Sequence, residues 1–406
     1  MKITGLIGIA LLLGIAYALS NNRKAINART VIWGIGLQIF FAIIILKIPI
    51  VKAQFSFIDT LFKRLISFSD AGGDFLFKSF VPGVGYHEAM INFAFRALPV
   101  IIFFSSLIAI TYHFGIIQFI VKQVAKIMKR SMKTSGAETL SISANIFVGQ
   151  TEAPILIRPY INNMTNSELM AIMTGGFATA AGSVLALYVL WLQEIPGIAG
   201  HMLAASIMSA PAALVIAKII YPETNRSDTE GDINININRT TENGMDALGR
   251  GATDGLKLAA NVAAMLVAFI SIITMINFSL EFLFSTTLQD ILGVLFQPLA
   301  WTMGIPWAEA RVVGALMGEK IVLTELIAYA NLSELISNNA ISDRTAIISS
   351  YALCGFANFG SIGIQLGGIG GMAPDRRKDL SRLGMKAMIG GALASWLTAT
   401  IAGILI

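Results

Sequence analysis

The chain has 406 residues, of which 55% are hydrophobic and only 13% charged, with a formal net charge of +5. A soluble domain carries roughly 25% charged residues, so this composition excludes an ordinary water-soluble fold. The basic residues gather in a few short loops, as they do in cytoplasm-facing loops of membrane proteins, so nucleic-acid binding is a poor explanation of the positive balance.

Apolar runs long enough to cross a bilayer, which takes about 20 residues, follow one another along the chain. The first covers about 3–20 and ends near the small-residue Ala16-Tyr17-Ala18. A secretory signal peptide has that look. Here Arg23, Lys24 and Arg29 follow the run, which predicts a retained first span with its N-terminus outside. A second span is expected at about 31–50. Over 54–69, Phe55, Ile58, Leu61, Phe62, Leu65 and Ile66 recur with helical spacing, with Asp59, Lys63 and Arg64 off that face. This pattern predicts an amphipathic helix in the membrane interface, a helix packed on other helices being the alternative. A third span is expected over about 92–121, followed by the basic run Lys122, Lys126, Lys129, Arg130 and Lys133.

Residues 135–165 are less apolar and are interrupted by Gly149, Gln150, Glu152 and Pro154, which predicts a re-entrant hairpin. Spans at about 168–190 and 199–220 come next. The polar stretch 222–250, locally repetitive over Asp232–Asn238, reads as a mobile connection without chemistry of its own. A long apolar helix at about 255–284 precedes a second polar hairpin over 290–335, which holds Gly318, Glu319, Lys320 and Glu325. A span at about 345–366 is expected to be broken by Gly355, Asn358, Gly360 and Gly363, and a last span covers about 384–406. The expected fold is thus an all-α integral membrane protein with eight transmembrane helices, two re-entrant hairpins and an interfacial helix. With both termini outside, most basic loops face the cytoplasm. The outward segment 47–78 is the exception, since it carries Lys47, Lys52, Lys63, Arg64 and Lys78.

The chain also contains a weak duplication. Phe177-Ala-Thr-Ala-Ala-Gly-Ser183 is similar to Phe356-Ala-Asn-Phe-Gly-Ser361, and each follows a polar hairpin and precedes one further span. The two units enter the membrane from opposite sides, an inverted repeat of the kind that places a transporter's binding site at the repeat interface. Small residues that favour close helix packing explain the same similarity without a duplication. The expected organisation is a scaffold over 1–134, a first repeat of a transport domain over 135–220, a connection and scaffold span over 221–285, and a second repeat over 286–406.

Polar side chains inside apolar segments are the candidate site. A carboxylate in hydrocarbon costs about 3 kcal/mol, and such a group marks function more often than structure. Gln150, Thr151 and Glu152 bring an amide, a hydroxyl and a carboxylate together, which suits the polar edge of a planar heterocycle. Glu325, Asn358 and Ser361 offer donors and acceptors suited to vicinal hydroxyls. Ser361 and Ser183 fit helix packing equally well, and Asn358 fits a helix cap. Asn145 and Thr179, with the backbone oxygens of Val148 and Ala180, are candidate hard-oxygen ligands for a sodium ion. No nucleophile with an adjacent base and no metal cluster accompanies Glu152 and Glu325, which speaks against an intramembrane enzyme. The interrupted hairpins favour an occluded site over an open channel.

The stretch Asn145-Ile-Phe-Val-Gly-Gln-Thr-Glu-Ala-Pro154 resembles the first hairpin of the concentrative nucleoside transporter family. Cys354-Gly-Phe-Ala-Asn-Phe-Gly-Ser-Ile-Gly363 resembles that family's broken seventh helix, and Gly318-Glu-Lys320 through Glu325 its second hairpin. The resemblance covers nearly the whole chain and matches the short bacterial type. It implies that Gln150, Thr151 and Glu152 contact the nucleobase. It implies that Glu325, Asn358 and Ser361 contact the ribose with Phe356 nearby. Asn145, Val148, Thr179 and Ala180 would hold sodium, the coupling ion. It further implies a homotrimer in the cytoplasmic (inner) membrane that takes up nucleosides of the uridine, cytidine and adenosine class by an elevator motion. Two departures stand out: Thr324-Glu325-Leu326 replaces the family's usual Asn-Glu-Phe, and Thr179 stands where serine is usual. Proton coupling is the alternative within the family. Asn145, which proton-coupled relatives lack, favours sodium. Purine versus pyrimidine preference stays open.

Overall fold

The computed structural model describes residues 2–78, 93–229 and 241–406, and all regular structure among them is helical. The chain begins with α1 (Lys2–Ala18), α2 (Ala28–Lys47) and α3 (Pro49–Phe77). Two series of elements in the same order follow. The first is α4 (Phe93–His113), α5 (Ile116–Met132), α6 (Gly136–Ala144) paired with the 3-10 helix Ala153–Asn163, the broken pair α7 (Asn166–Ala178) and α8 (Gly182–Trp191), and α9 (Ile198–Ile220). The second is α10 (Gly244–Phe284), α11 (Leu288–Thr302), the helix–turn–helix α12 (Trp307–Val322) and α13 (Glu325–Ser337), the broken pair α14 (Asp343–Leu353) and α15 (Phe359–Met372), and α16 (Arg377–Leu405). The two series thus share the same order of five elements.

Local signals explain where these helices begin. Ser135 and Thr165 each accept from the backbone N–H three residues on, while Glu138 and Glu168 reach back to the cap's own N–H. Such reciprocal capping boxes satisfy two otherwise orphaned donors. Thr324 and Asn358 cap α13 and α15 in the simpler way.

Six helical segments among the described residues are long and apolar enough to cross a membrane, and a seventh is added if α11 and α12, bent by 118° at their junction, are taken as one. The chain is thus a multi-pass membrane protein. α1 is apolar but shorter. The segments differ sharply in burial. The most apolar stretch is 89% buried in α7–α8 and in α9 and 83% in α16, against 22% in α4 and 17% in α10. α7–α9 and α16 therefore form an inner bundle, and α4 and α10, packed along each other, lie outside it with apolar flanks facing outward.

Four sequence expectations change. The span expected over about 168–190 is broken, since Thr179 and Ala181 are extended and divide it into α7 and α8. The third span ends at His113, because Gly115 adopts a left-handed conformation (φ 79°) and turns the chain into the separate amphipathic helix α5. The stretch 222–250 is not all irregular, since α10 starts at Gly244 behind the Asn243 cap; its repetitive part, 232–238, lies outside the described residues. On α3, Asp59 belongs to the buried face and Leu61 is exposed. The Asp59 carboxylate accepts from the Ala199 N–H at 3.1 Å and pairs with Lys63 at 3.0 Å. It satisfies an orphan donor at the start of α9, where the helix dipole favours negative charge. Side-chain facts for Phe55 and Lys52, and everything about His87, fall outside the described residues.

Candidate functional site

The two broken pairs meet at their breaks. Gly355 has φ of 102°, and a methyl group there would lie 2.5 Å from the Phe177 carbonyl oxygen and 2.6 Å from the Ala178 carbonyl carbon. Only glycine allows both the conformation and the approach. The ends of α7 and α14, each with unspent backbone groups, are thereby brought to one place near the middle of the bundle.

Around this crossing the second series contributes a connected polar chain. The Glu325 carboxylate is 3% exposed. It accepts from the Tyr188 hydroxyl at 3.0 Å on one oxygen and from Asn358 Nδ2 at 2.8 Å on the other. Asn358 Oδ1 in turn accepts from the Ser361 backbone N–H at 2.8 Å, capping α15. Asn358 is thus both a helix cap and a partner of the carboxylate, so the two readings of this residue are compatible. Tyr188 stacks on Tyr329 with ring centroids 4.0 Å apart, and the Tyr329 hydroxyl donates to the Ser350 carbonyl at 2.6 Å. The carboxylate is therefore held from behind by a rigid aromatic pair.

The first hairpin reaches the same helix. Gln150 Oε1 accepts from Gln365 Nε2 at 3.0 Å. The Thr151 methyl group packs on α15 at Gly368. Asn358, Ser361, Gln365 and Gly368 recur at helical spacing and define one stripe of α15, along which residues from both series converge. The stripe from Asn358 to Gln365 spans about 10 Å at 1.5 Å per residue. Phe356 lies half-buried in the break just before it.

Glu152 departs from expectation. Both acids were expected to be buried, yet Glu152 is exposed, at the start of the 3-10 helix. Its carboxylate folds back over Gly149, where a Cβ would lie 2.1 Å from Oε2. The reason is local: the turn Gly149–Glu152 closes through Glu152 N–H to Gly149 O at 3.2 Å, which carries the side chain over the bare glycine and away from the bundle interior. Glu325, by contrast, opens α13 inside the bundle.

The candidate ion ligands sit on the opposite flank of the hairpin. The Gly182 N–H donates to the Phe147 carbonyl at 3.1 Å, so the turn after α6 abuts the break between α7 and α8. Asn145 is 1% exposed, and neither its Oδ1 nor its Nδ2 has a hydrogen-bond partner among the described residues. Buried amides are rarely left so, since each unmade bond costs about 1–3 kcal/mol. Val148, Thr179 and Ala180 are buried too, and the Thr179 hydroxyl donates to the Gly175 carbonyl at 3.1 Å, leaving its oxygen lone pairs available. An unsatisfied amide oxygen, a hydroxyl oxygen and nearby backbone carbonyls fit a hard monovalent cation.

Sequence reasoning missed Tyr188, Tyr329 and Gln365. Tyrosines in apolar helices look like packing residues, and Gln365 is a lone amide whose partner is 215 residues away. It also left Lys320 without a role. Lys320 is fully buried and donates to the carbonyls of Ala352 and Cys354 at 2.9 and 3.0 Å and to Ser395 Oγ at 2.8 Å. It caps the end of α14 and so fixes the break that carries Gly355 and Asn358.

Three family descriptions match the chain: "Na+ dependent nucleoside transporter N-terminus" over residues 7–80, "Nucleoside recognition" over 94–193, and "Na+ dependent nucleoside transporter C-terminus" over 201–403. The chain is 42% identical to an uncharacterized transporter, YutK, of Bacillus subtilis, covering 99% of both proteins. It is 37% identical to mouse sodium/nucleoside cotransporter 1, covering 98% of this chain and 63% of the mouse protein. Among solved structures, CNTnw in an inward-facing substrate-bound state superposes with a TM-score of 0.92 at 42% identity, covering 99% of this chain and 98% of that one. A CNTnw variant in an outward-facing state gives 0.91 at 40% identity, covering 100% and 97%.

Proposed function

The chain belongs to the Na+-dependent nucleoside transporter family, and we propose that it carries nucleosides into the cell together with sodium, by an elevator-type motion of the inner bundle against an outer scaffold. It is a transporter and not an enzyme. The observation that carries the reading is the polar stripe of α15, flanked by the buried Glu325 at one end and by Gln150 at the other. The partners of these two groups, Asn358 and Gln365, lie about 10 Å apart along α15, which suits a ribose at Glu325 and Asn358 and a base at Gln150, Thr151 and Glu152, with Ser361 between and Phe356 just before. Each Glu325 oxygen accepts one bond from the protein and keeps a lone pair for a ribose hydroxyl. The exposed Glu152 faces open space at the hairpin tip, as a group that receives its partner only on loading would.

Sodium is the co-substrate in this reading. Asn145, Thr179 and the carbonyls of Val148 and Ala180 would hold it, joining the hairpin turn to the α7–α8 break. Because that turn carries Gln150 to Glu152 a few residues on, an ion at Asn145 orders the base-binding groups and raises nucleoside affinity, and the coupling is reciprocal. The domain boundaries proposed from sequence follow the same division: 1–134 and 221–285 as scaffold, 135–220 and 286–406 as the moving unit. The homotrimer and the inner-membrane location with both termini outside belong to the same proposal. The test is uptake of radiolabelled uridine into proteoliposomes with and without an inward sodium gradient, and with a proton gradient in its place. Accumulation above equilibrium that requires sodium supports the reading. Accumulation driven by protons alone, or no accumulation, overturns it.

A further inference from the structure

A large cleft lies outside the nucleoside and ion sites. It has a volume of about 980 Å³ and is lined by Lys122, Lys126, Lys129, Arg130 and Lys133, all on or just after α5, with Lys218 at its back. Among the described residues, two carboxylates line it, Glu138 and Glu223, and Lys218 bridges them at 2.7 and 3.4 Å. They are thus occupied away from the α5 cations. Among the described residues, no carboxylate pairs with Lys122, Lys126, Arg130 or Lys133. Asn27, Thr30 and Ser135 add uncharged polar lining.

α5 itself has three faces. Ile117, Val121, Met128 and Met132 are buried against the protein. The basic side chains form a second stripe. Ile116, Ile120 and Ile127, from 39% to 52% exposed, form a third, roughly a third of a turn from the basic one at 100° per residue, and Phe119, 67% exposed, lies among the basic side chains near the helix start. A helix with an exposed apolar stripe beside a basic one lies in the plane of a membrane surface, its apolar side chains among acyl chains and its cations among head groups.

We infer that the α5 cleft binds the head group of an anionic phospholipid, with its phosphate among Lys122, Lys126, Arg130 and Lys133 and its acyl chains on Ile116, Ile120 and Ile127. The cation excess supplies the charge recognition. The adjoining apolar stripe selects a lipid over a free phosphate, which has no use for it. The position of α5, between α4 of the outer layer and the hairpin that begins at Gly136, makes the bound lipid part of the junction between the two layers.

The experiment uses the delipidated full chain in detergent, with lipid retention read by native mass spectrometry. Phosphatidylglycerol is expected to be retained about tenfold better than phosphatidylcholine, and raising the salt concentration is expected to collapse that preference. In the variant Lys122→Gln/Lys126→Gln/Arg130→Gln/Lys133→Gln the preference is expected to vanish. If that variant fails to fold, the salt dependence of the wild type decides: a preference unchanged by salt overturns the inference. Equal retention of the two lipids overturns it as well. So does competition by inorganic phosphate or by glycerophosphate that matches the intact lipid, which would assign the cleft to a free anion.

Discussion

Glu325→Gln tests the ribose end of the site with a change of one atom. In the native protein one carboxylate oxygen accepts from Tyr188 and the other from Asn358 Nδ2. Glutamine keeps one oxygen and gains a donor. Asn358 Nδ2 is a donor only, and the side chain cannot flip to offer Oδ1, which is committed to the Ser361 N–H. The new amide nitrogen therefore faces Tyr188, whose hydroxyl can turn and accept, and the protein folds. A ribose then loses one charge-assisted hydrogen bond, about 1.5–3 kcal/mol, and keeps the other in neutral form, a further loss of about 1 kcal/mol. The sum corresponds to a roughly 100- to 1000-fold weaker uridine affinity. Isothermal titration of detergent-solubilised protein at saturating sodium measures it, alongside the melting temperature. The same titration with 2′,3′-dideoxyuridine closes a double-mutant cycle, in which the dideoxy analogue binds wild type weakly and the variant hardly more weakly. A variant that melts as wild type and binds uridine within about threefold of wild type would refute the placement of ribose on Glu325.

Further expectations come from other parts of the site. Glu152→Gln is expected to abolish uridine uptake without lowering the melting temperature, because the exposed carboxylate makes its contacts with cargo rather than with the fold; normal uptake would remove it from the site. Asn145→Ala is expected to raise the sodium concentration for half-maximal uptake by about tenfold or more, the equivalent of one charge-assisted contact, and sodium titration of uptake checks it. Gly355→Ala pushes a methyl group to 2.5 Å from the Phe177 carbonyl oxygen at φ of 102° and is expected to abolish assembly of the two breaks, read as loss of a cooperative melt. Lys320→Met leaves two backbone carbonyls and Ser395 Oγ without their buried donor. The expected loss of about 2–5 kcal/mol appears as a lower melting temperature, and an unchanged one would show that Lys320 is not a structural cap.

Long uninterrupted elements were the most legible. α2 and α9 fall within a few residues of the predicted spans, because an apolar run in hydrocarbon satisfies its own backbone and nothing else is needed; α16 ends as predicted but begins earlier, at Arg377 in the basic loop. The break at 354–358 was legible too, because glycine and asparagine inside an apolar run announce it without any knowledge of the partners; the break at 179–181 was not, because threonine and alanine there do not interrupt the apolar pattern. The end of the third span was misjudged, since the apolar content of 114–121 continues past Gly115 while the backbone turns there. Asp59 was misassigned for a related reason: its partner is the backbone N–H of Ala199, and no side-chain pattern advertises a backbone donor.

The amino-acid sequence by itself determined that the chain is a helical membrane protein and which polar residues stand inside apolar segments. These follow from composition and local periodicity, because the bilayer penalises each unsatisfied polar group wherever it occurs. Tertiary structure alone decided what those residues touch. It joined Gln150 to Gln365, aimed Tyr188 and Asn358 at Glu325, and sent Glu152 outward while burying Glu325. Such pairings depend on where two helix breaks cross in space, and that crossing is set by the packing of Gly355 on Phe177 and Ala178, residues more than 170 positions apart.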